Sequence, residues 1–358
     1  MIFAVGLAAL SFARPGAQAS AQNPPAAPQQ AAPARQKGAG SQKKPAAAPG
    51  VVPSAGQVKR EVSLVPVFFS VLNAKNRFVT DLGRDDFEVF DNGLPQQIQK
   101  FGRQSNLPLR IGILLDTSNS IQQRLEFEKN ASFDFLFRNV RPGRDLAFVM
   151  TFDTHPQVQQ GFTDDMDLLR QAIFSQRAGG GTALYDCIYA ASRELIDAPL
   201  PADGEEVRRV LVIFSDGIDD LSNDALSTAL KMAERVPIEI YTISTNQEWV
   251  SPDQFGAQNM PRKLGYSHGD QILREIANDT GGRPFYPYQV SDLAQAFAEI
   301  GTELRSQYYI AYSPSYHPDD GKFHQIQLQL LHPKGLTVRA RQGYWAPQPA
   351  PPSPAPSR

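Results

Sequence analysis

The chain has a single cysteine, Cys187, in 358 residues. One thiol excludes an intrachain disulfide, so the fold must be held by burial and hydrogen bonding. Cys187 itself, on a helix expected to pack against a sheet, reads as a small buried apolar residue rather than a nucleophile. Histidine is also scarce. The five, His155, His268, His317, His324 and His332, are scattered through loops and one strand. No His-Glu-x-x-His and no Gly-x-x-x-x-Gly-Lys occurs, so the metalloprotease and phosphate-loop signatures are missing. His324, set among glutamines, reads as solvent-facing. A membrane helix needs about 20 consecutive apolar residues. The apolar stretch Met1 to Phe12 is cut short by Arg14-Pro15, and no other segment is long enough. A transmembrane anchor in the mature chain is therefore not expected.

Charge of one sign is absent from the start of the chain. Residues 1 to 60 carry seven Lys or Arg and no acid, leaving 28 basic against 37 acidic residues beyond them, a net of −9. A mildly acidic globule argues against a nucleic-acid partner and suits a protein that collects a cation. Residues 1–21 read as an export signal, with Ala17-Gln-Ala19 and Ala19-Ser-Ala21 as small-residue cleavage sites, although the usual basic stretch before Ile2 is missing. That implies a periplasmic or secreted, extracellular protein. Residues 22–56, rich in Pro, Ala and Gln, read as a disordered tether, and 347–358 as a disordered tail.

The richest stretch is Arg110-Ile-Gly-Ile-Leu-Leu-Asp116-Thr-Ser118-Asn-Ser120. The apolar run Ile111 to Leu115 predicts a strand buried on both faces of a parallel sheet. A carboxylate and two hydroxyls follow where that strand stops, the edge at which open α/β sheets bind ligands. Such hard oxygen donors suit a hard cation. A second apolar strand ends in Ser215-Asp216-Gly217. Between the two lies Gly179-Gly180-Gly181-Thr182, a glycine loop opening a helix with a hydroxyl. Capping of helices explains Ser120 and Thr182 one at a time, but not two strand-ending acids beside them.

These three pieces, in this order, resemble the metal-ion-dependent adhesion site of the von Willebrand factor type A family, over about residues 105–305. The resemblance implies that Asp116, Ser118, Ser120, Thr182 and Asp216 hold one Mg²⁺, with Mn²⁺ or Ca²⁺ as alternatives. It further implies hydroxyls touching the ion, the two acids acting largely through water, and one open position for an Asp or Glu of a protein partner. Asp186, Asp219 and Asp220 are candidate supporting residues, and Asp186 is also placed to stabilise the start of its own helix.

Alternating elements predict an α/β fold: a doubly wound, mostly parallel sheet with helices on both faces. Helices are expected at 121–138, 165–176, 183–196, 222–235, 268–279 and 290–305, and strands at 109–115, 145–152, 156–161, 209–215, 238–244 and 283–286. Pro156 marks an edge strand. Flanking this unit, Val62–Leu72, Phe87–Phe90 and Gln97–Phe101 on one side, and Gln307–Tyr312, His324–Leu330 and Leu336–Arg341 on the other, read as strands. Asn92-Gly93 is a hairpin signal. Flanks 57–104 and 306–346 are expected to form one small antiparallel β domain, since isolated hairpins are marginal. This outer layout resembles bacterial secreted von Willebrand factor A-related proteins.

The loop 245–267 is long for a strand-to-helix connection. It carries Trp249, Phe255 and Tyr266, which are candidate partner-binding residues at the metal edge. Three functional readings follow: a non-enzymatic adhesion or binding module, a metal-dependent hydrolase in which the open position holds an activated water, and a structural envelope component stabilised by its metal.

Overall fold

Every position from Ile111 to Leu115 is apolar because both sides of the strand are covered. The computed structural model describes residues 64–103, 107–246, 267–287, 290–316, 320–332 and 334–348. Four strands come first: β1 (Val65–Asn73), β2 (Phe87–Asp91), β3 (Leu94–Gln96) and β4 (Ile98–Arg103). The α/β region follows, with β5 (Leu109–Asp116), α1 (Leu125–Asn139), β6 (Leu146–Phe152), β7 (Pro156–Thr163), α2 (Met166–Phe174) and α3 (Leu184–Ile196). It continues through β8 (Arg208–Ser215), α4 (Leu226–Ala233), β9 (Ile238–Ser244), α5 (His268–Asp279), β10 (Pro284–Phe285) and α6 (Val290–Ser306). The last strands are β11 (Tyr308–Tyr312), β12 (Phe323–Leu330), β13 (Leu336–Ala340) and β14 (Gly343–Trp345).

The central sheet has the order β10-β9-β8-β5-β6-β7. All its pairs are parallel except β6 with β7, and β7, which begins at Pro156, is an edge. Alternate residues of β5 serve opposite faces. Ile111, Ile113 and Leu115 pack with Phe135 and Leu136 of α1 and Phe297 and Ile300 of α6. Leu114 packs with Leu184, Cys187 and Ile188 of α3 and with Ala229 of α4. The fold is thus α/β, doubly wound, with helices on both faces. Fully burying each such aliphatic or aromatic side chain is worth about 1.5–3 kcal/mol.

The connections also set where a ligand can bind. From β5 the chain moves to β6 and β7 on one side, then crosses to β8 on the other. The carboxyl edge between β5 and β8 is therefore the switch point, where neighbouring loops diverge and leave a crevice.

Strands from the two flanks pair with each other. β11 and β13 flank β1, β4 joins β11, and all these pairs are antiparallel. A second sheet runs β14-β12-β2-β3. The two sheets share a core of Val67, Phe69, Val71, Phe87, Val89, Tyr308, Ile310 and Ile326. The sandwich and the α/β layers belong to one compact unit, Arg60–Arg358. Arg208, 2% exposed, joins them. Its guanidinium lies 5.2 Å from the Phe68 ring, pairs with Glu239 at 3.0 Å, and donates to Gln307 and to the Leu304 carbonyl.

Three expectations need correction. His324 is 1% exposed rather than solvent-facing. Strand parity places it on the face of Ile326, and burial there is tolerable because Nδ1 lies 3.2 Å from Asp91 and Nε2 3.1 Å from Asp320. Helix α1 begins at Leu125, not 121, because Asn119–Ile121 form a 3-10 turn that belongs to the loop after β5. Helix α4 begins at Leu226, not 222. The N–H groups of Asn223 and Asp224 donate instead to the Asp186 carboxylate, at 3.0 and 2.9 Å.

Candidate functional site

Asp116 closes β5 and Ser215 closes β8, and the pairing of Leu115 with Phe214 sets them side by side. Asp116 is fully buried. Its Oδ1 accepts the Ser118 N–H at 2.9 Å, and its Oδ2 accepts the Ser215 hydroxyl at 2.8 Å. Ser118 is 1% exposed, and its Oγ lies 2.9 Å from that of Ser120, which faces outward. Burial pushes the Asp116 carboxyl up to about 6, against the bonds from Ser118 and Ser215, and the charge of Asp216 adds to the rise. Among the described residues no Lys or Arg pairs with Asp116 or Asp216.

The other two loops are laced to this one. Gly179 N–H donates to the Thr117 carbonyl at 2.7 Å, and Asn119 N–H to the Gly180 carbonyl at 3.1 Å. Gly180 has φ +82°, which any Cβ would strain, and a Cβ there would also meet Thr154 Oγ1 at 2.8 Å. The Thr182 carbonyl accepts the N–H groups of Asp220 and Leu221, while Thr182 N–H donates to Asp220 Oδ1 at 2.6 Å. Loops 117–121, 179–182 and 216–221 thus gather Asp116, Ser118, Ser120, Thr182 and Asp216 at one sheet edge.

The supporting acids hold the backbone. Asp219 accepts the Tyr185 N–H at 3.2 Å and the Ser222 hydroxyl at 2.6 Å. Asp220 holds Thr182. Asp186 lies in the first turn of α3 but spends its carboxylate on the 223–224 backbone. Its burial alone would raise its pKa, but the N–H groups of Asp224 and Asn223 and the Asn223 amide outweigh that and hold it below the usual carboxylate value.

Several residues here have no sequence signal. Asn246 donates to the Asp216 carbonyl at 2.6 Å, to Ser267 Oγ at 3.0 Å and to Asp270 Oδ1 at 3.1 Å. It therefore brings together the two residues that bracket 247–266. Trp249, Phe255 and Tyr266 lie outside the described residues. Gly265-Tyr-Ser267-His-Gly269 has the Gly-x-Ser-x-Gly spacing of a hydrolase nucleophile. Ser267 is instead the N-cap of α5. Its Oγ accepts from Asp270 N–H and Asn246, and among the described residues no base is bonded to it. Glu128 of α1 is fully buried, with neither carboxylate oxygen bonded.

The donor set fits a hard divalent cation: hydroxyl and carboxylate oxygens around a buried acid that lacks a basic partner. Among the described residues no three His, Cys, Asp or Glu side chains gather at metal-binding spacing. Direct contacts would accordingly fall to the hydroxyls of Ser118, Ser120 and Thr182.

Residues 111–218 match the family model of the von Willebrand factor type A domain. A comparison with curated proteins returns no match. Among solved structures, the chain is similar to a conserved hypothetical protein, BatB, from Bacteroides thetaiotaomicron, at 21% identity and TM-score 0.43, covering 55% of this chain and 100% of that one. It is similar to a von Willebrand factor type A protein from Catenulispora acidiphila, at 14% identity and TM-score 0.43, covering 81% and 75%. It is also similar to the vWF domain of the type V pili tip protein Mfa5 from Porphyromonas gingivalis, at 12% identity and TM-score 0.41, covering 55% and 94%. None of the three bears on what this chain binds.

Proposed function

We propose that the chain is an exported, non-enzymatic binding module that uses a divalent cation to take up an acidic side chain of a protein partner. Mg²⁺ is the first choice, with Mn²⁺ and Ca²⁺ as alternatives. Ser118, Ser120 and Thr182 would hold the ion through their hydroxyls, with Asp116 and Asp216 supporting it. The observation that carries this reading is Asp116: a fully buried carboxylate at the switch point, ringed by hydroxyls and matched by no basic side chain among the described residues. A site rich in neutral oxygens leaves a bound cation electron-poor, so a carboxylate from outside is drawn to it. Exposed Ile218 and Leu221 beside the acids, 43% and 44% exposed, give the same edge an apolar rim.

Asn246 donates to the Asp216 carbonyl and to Ser267 Oγ, so both residues that bracket 247–266 lie beside the proposed ion site. Trp249, Phe255 and Tyr266 are the proposed partner-reading residues, because aromatic anchors dominate interfaces. The export signal at 1–21 lies outside the described residues, and among those described no helix is long and apolar enough to cross a membrane. Capture of envelope proteins on the immobilised mature chain tests the reading. Binding should require Mg²⁺, be released by EDTA and by excess aspartyl peptide, and vanish in Asp116→Ala. Capture that survives both EDTA and Asp116→Ala would overturn it.

A further inference from the structure

Glu128 is out of place by ordinary rules. It sits in the first turn of α1, is fully buried, and has both carboxylate oxygens sealed from solvent without a hydrogen-bond partner. A buried charge with no partner is among the most expensive features a fold can carry. The acid next to it in sequence but one, Glu126, does what a helical acid normally does: it is 77% exposed and pairs with Lys129 at 2.8 Å. Glu128 cannot use that lysine, whose amine is already turned to Glu126.

Its surroundings point to the strand edge. Glu128 faces Thr245, the residue after β9, whose N–H is bonded to the Ser215 carbonyl at 3.0 Å. Thr245 Oγ1 is likewise buried and unbonded. Burial first, then the charge of Asp116, raise the Glu128 carboxyl well above its usual value; the Thr245 side chain and then Arg124 oppose the rise, and Asp216 adds to it. Glu128 therefore lies within electrostatic reach of both strand-ending acids, and none of the three has a salt bridge to a Lys or Arg among the described residues. Negative charge on all three acids at once is unfavourable, so either protons or a cation must neutralise part of it.

We propose that Glu128 is a sixth member of the cation site, supplying a third negative charge from the α1 side without being a direct ligand. This rests on the cation reading above and extends it to a residue outside the Asp-x-Ser-x-Ser, threonine and aspartate set. A charge in a water-poor interior acts on an ion at a longer range than one in solvent. Glu128 would then set how tightly the ion is held, while Ser118, Ser120 and Thr182 set where it sits.

Calorimetric titration of the chelator-stripped chain with MgCl₂ and MnCl₂ tests this, comparing the parent with Glu128→Gln, Glu126→Gln and Asp116→Ala. Gln keeps the shape of Glu128 and removes only the charge. The expected result is about tenfold weaker cation binding in Glu128→Gln, no change in Glu126→Gln, and loss in Asp116→Ala. Metal-free Glu128→Gln should also melt at or above the parent temperature, and the rise in melting temperature on adding Mg²⁺ should shrink. Equal cation affinity in parent and Glu128→Gln, with Asp116→Ala inactive, overturns the role of Glu128 and leaves the site standing. A metal-free Glu128→Gln that does not fold overturns it too, because the charge would then have a purely structural partner. A parent chain that binds neither ion overturns the cation reading itself.

Discussion

Ser215 Oγ donates to Asp116 Oδ2 at 2.8 Å across the two central strands of the sheet. The same hydroxyl accepts the Gly217 N–H at 3.0 Å. Ser215 therefore fixes both the rotamer of Asp116 and the turn that presents Asp216. It ties two sequence-distant acids into one rigid edge before any ligand arrives.

Ser215→Ala should consequently cost more than a surface hydroxyl would. It strands a buried carboxylate oxygen and a buried N–H, at about 1–3 kcal/mol. Urea unfolding of the metal-free protein measures this. A midpoint equal to that of the parent would show that Asp116 finds another donor.

Gly269 lies in the first turn of α5, against the backbone of the Asp216 turn. A Cβ there would stand 2.0 Å from the Asp216 carbonyl oxygen, which belongs to the backbone and cannot swing aside. Gly269→Ala should force α5 and the Asp216 turn apart, destabilising by about 1–3 kcal/mol and weakening Mg²⁺ binding together. An unchanged melting temperature would mean that the two backbones are not in contact in solution.

Glu234 supplies a pH dependence. It is 9% exposed, and Trp345 Nε1 donates to it at 2.9 Å, joining β14 to α4. Burial raises its carboxyl from the usual 4.5 to about 7, against the Trp345 bond. A folded-state pKa above the unfolded one favours the protonated folded form. Stability from this group is thus full below about 4.5 and is lost as pH rises through about 7, by on the order of 3 kcal/mol. Glu234→Gln should flatten the slope between pH 5 and 8 and be the more stable of the two at pH 8. Parallel pH profiles for parent and variant would contradict the assignment.

Much of this was legible in the sequence. Ile111–Leu115 announces a doubly covered strand because no residue in it tolerates water, and Asp116 and Asp216 stand out as acids that end such strands. What escaped depends on partners far away in the chain. His324 reads as wet among glutamines, yet its partner Asp91 lies 233 residues off. Helix α4 starts late because Asp186, 37 and 38 residues earlier, takes its first N–H groups. Glu128 looks like any helical acid until α1 is laid on the sheet. Ser267 carries a nucleophile's spacing, but its bonds are those of a helix cap.

Partner choice should reside apart from the ion. Trp249→Ala is predicted to weaken partner binding by more than about 1 kcal/mol while leaving Mg²⁺ affinity intact, measured on a captured partner. Unaltered partner affinity would remove this segment from recognition. Loss of Mg²⁺ binding as well would make it part of the ion site.

The central claim is that Asp116, Ser118, Ser120, Thr182 and Asp216 hold one divalent cation, and calorimetric titration of the chelator-stripped chain with Mg²⁺ tests it most directly. The account predicts one ion per chain for the parent and none for Asp116→Ala or Asp216→Ala, with all three folded. Binding by both variants as tight as by the parent would contradict it.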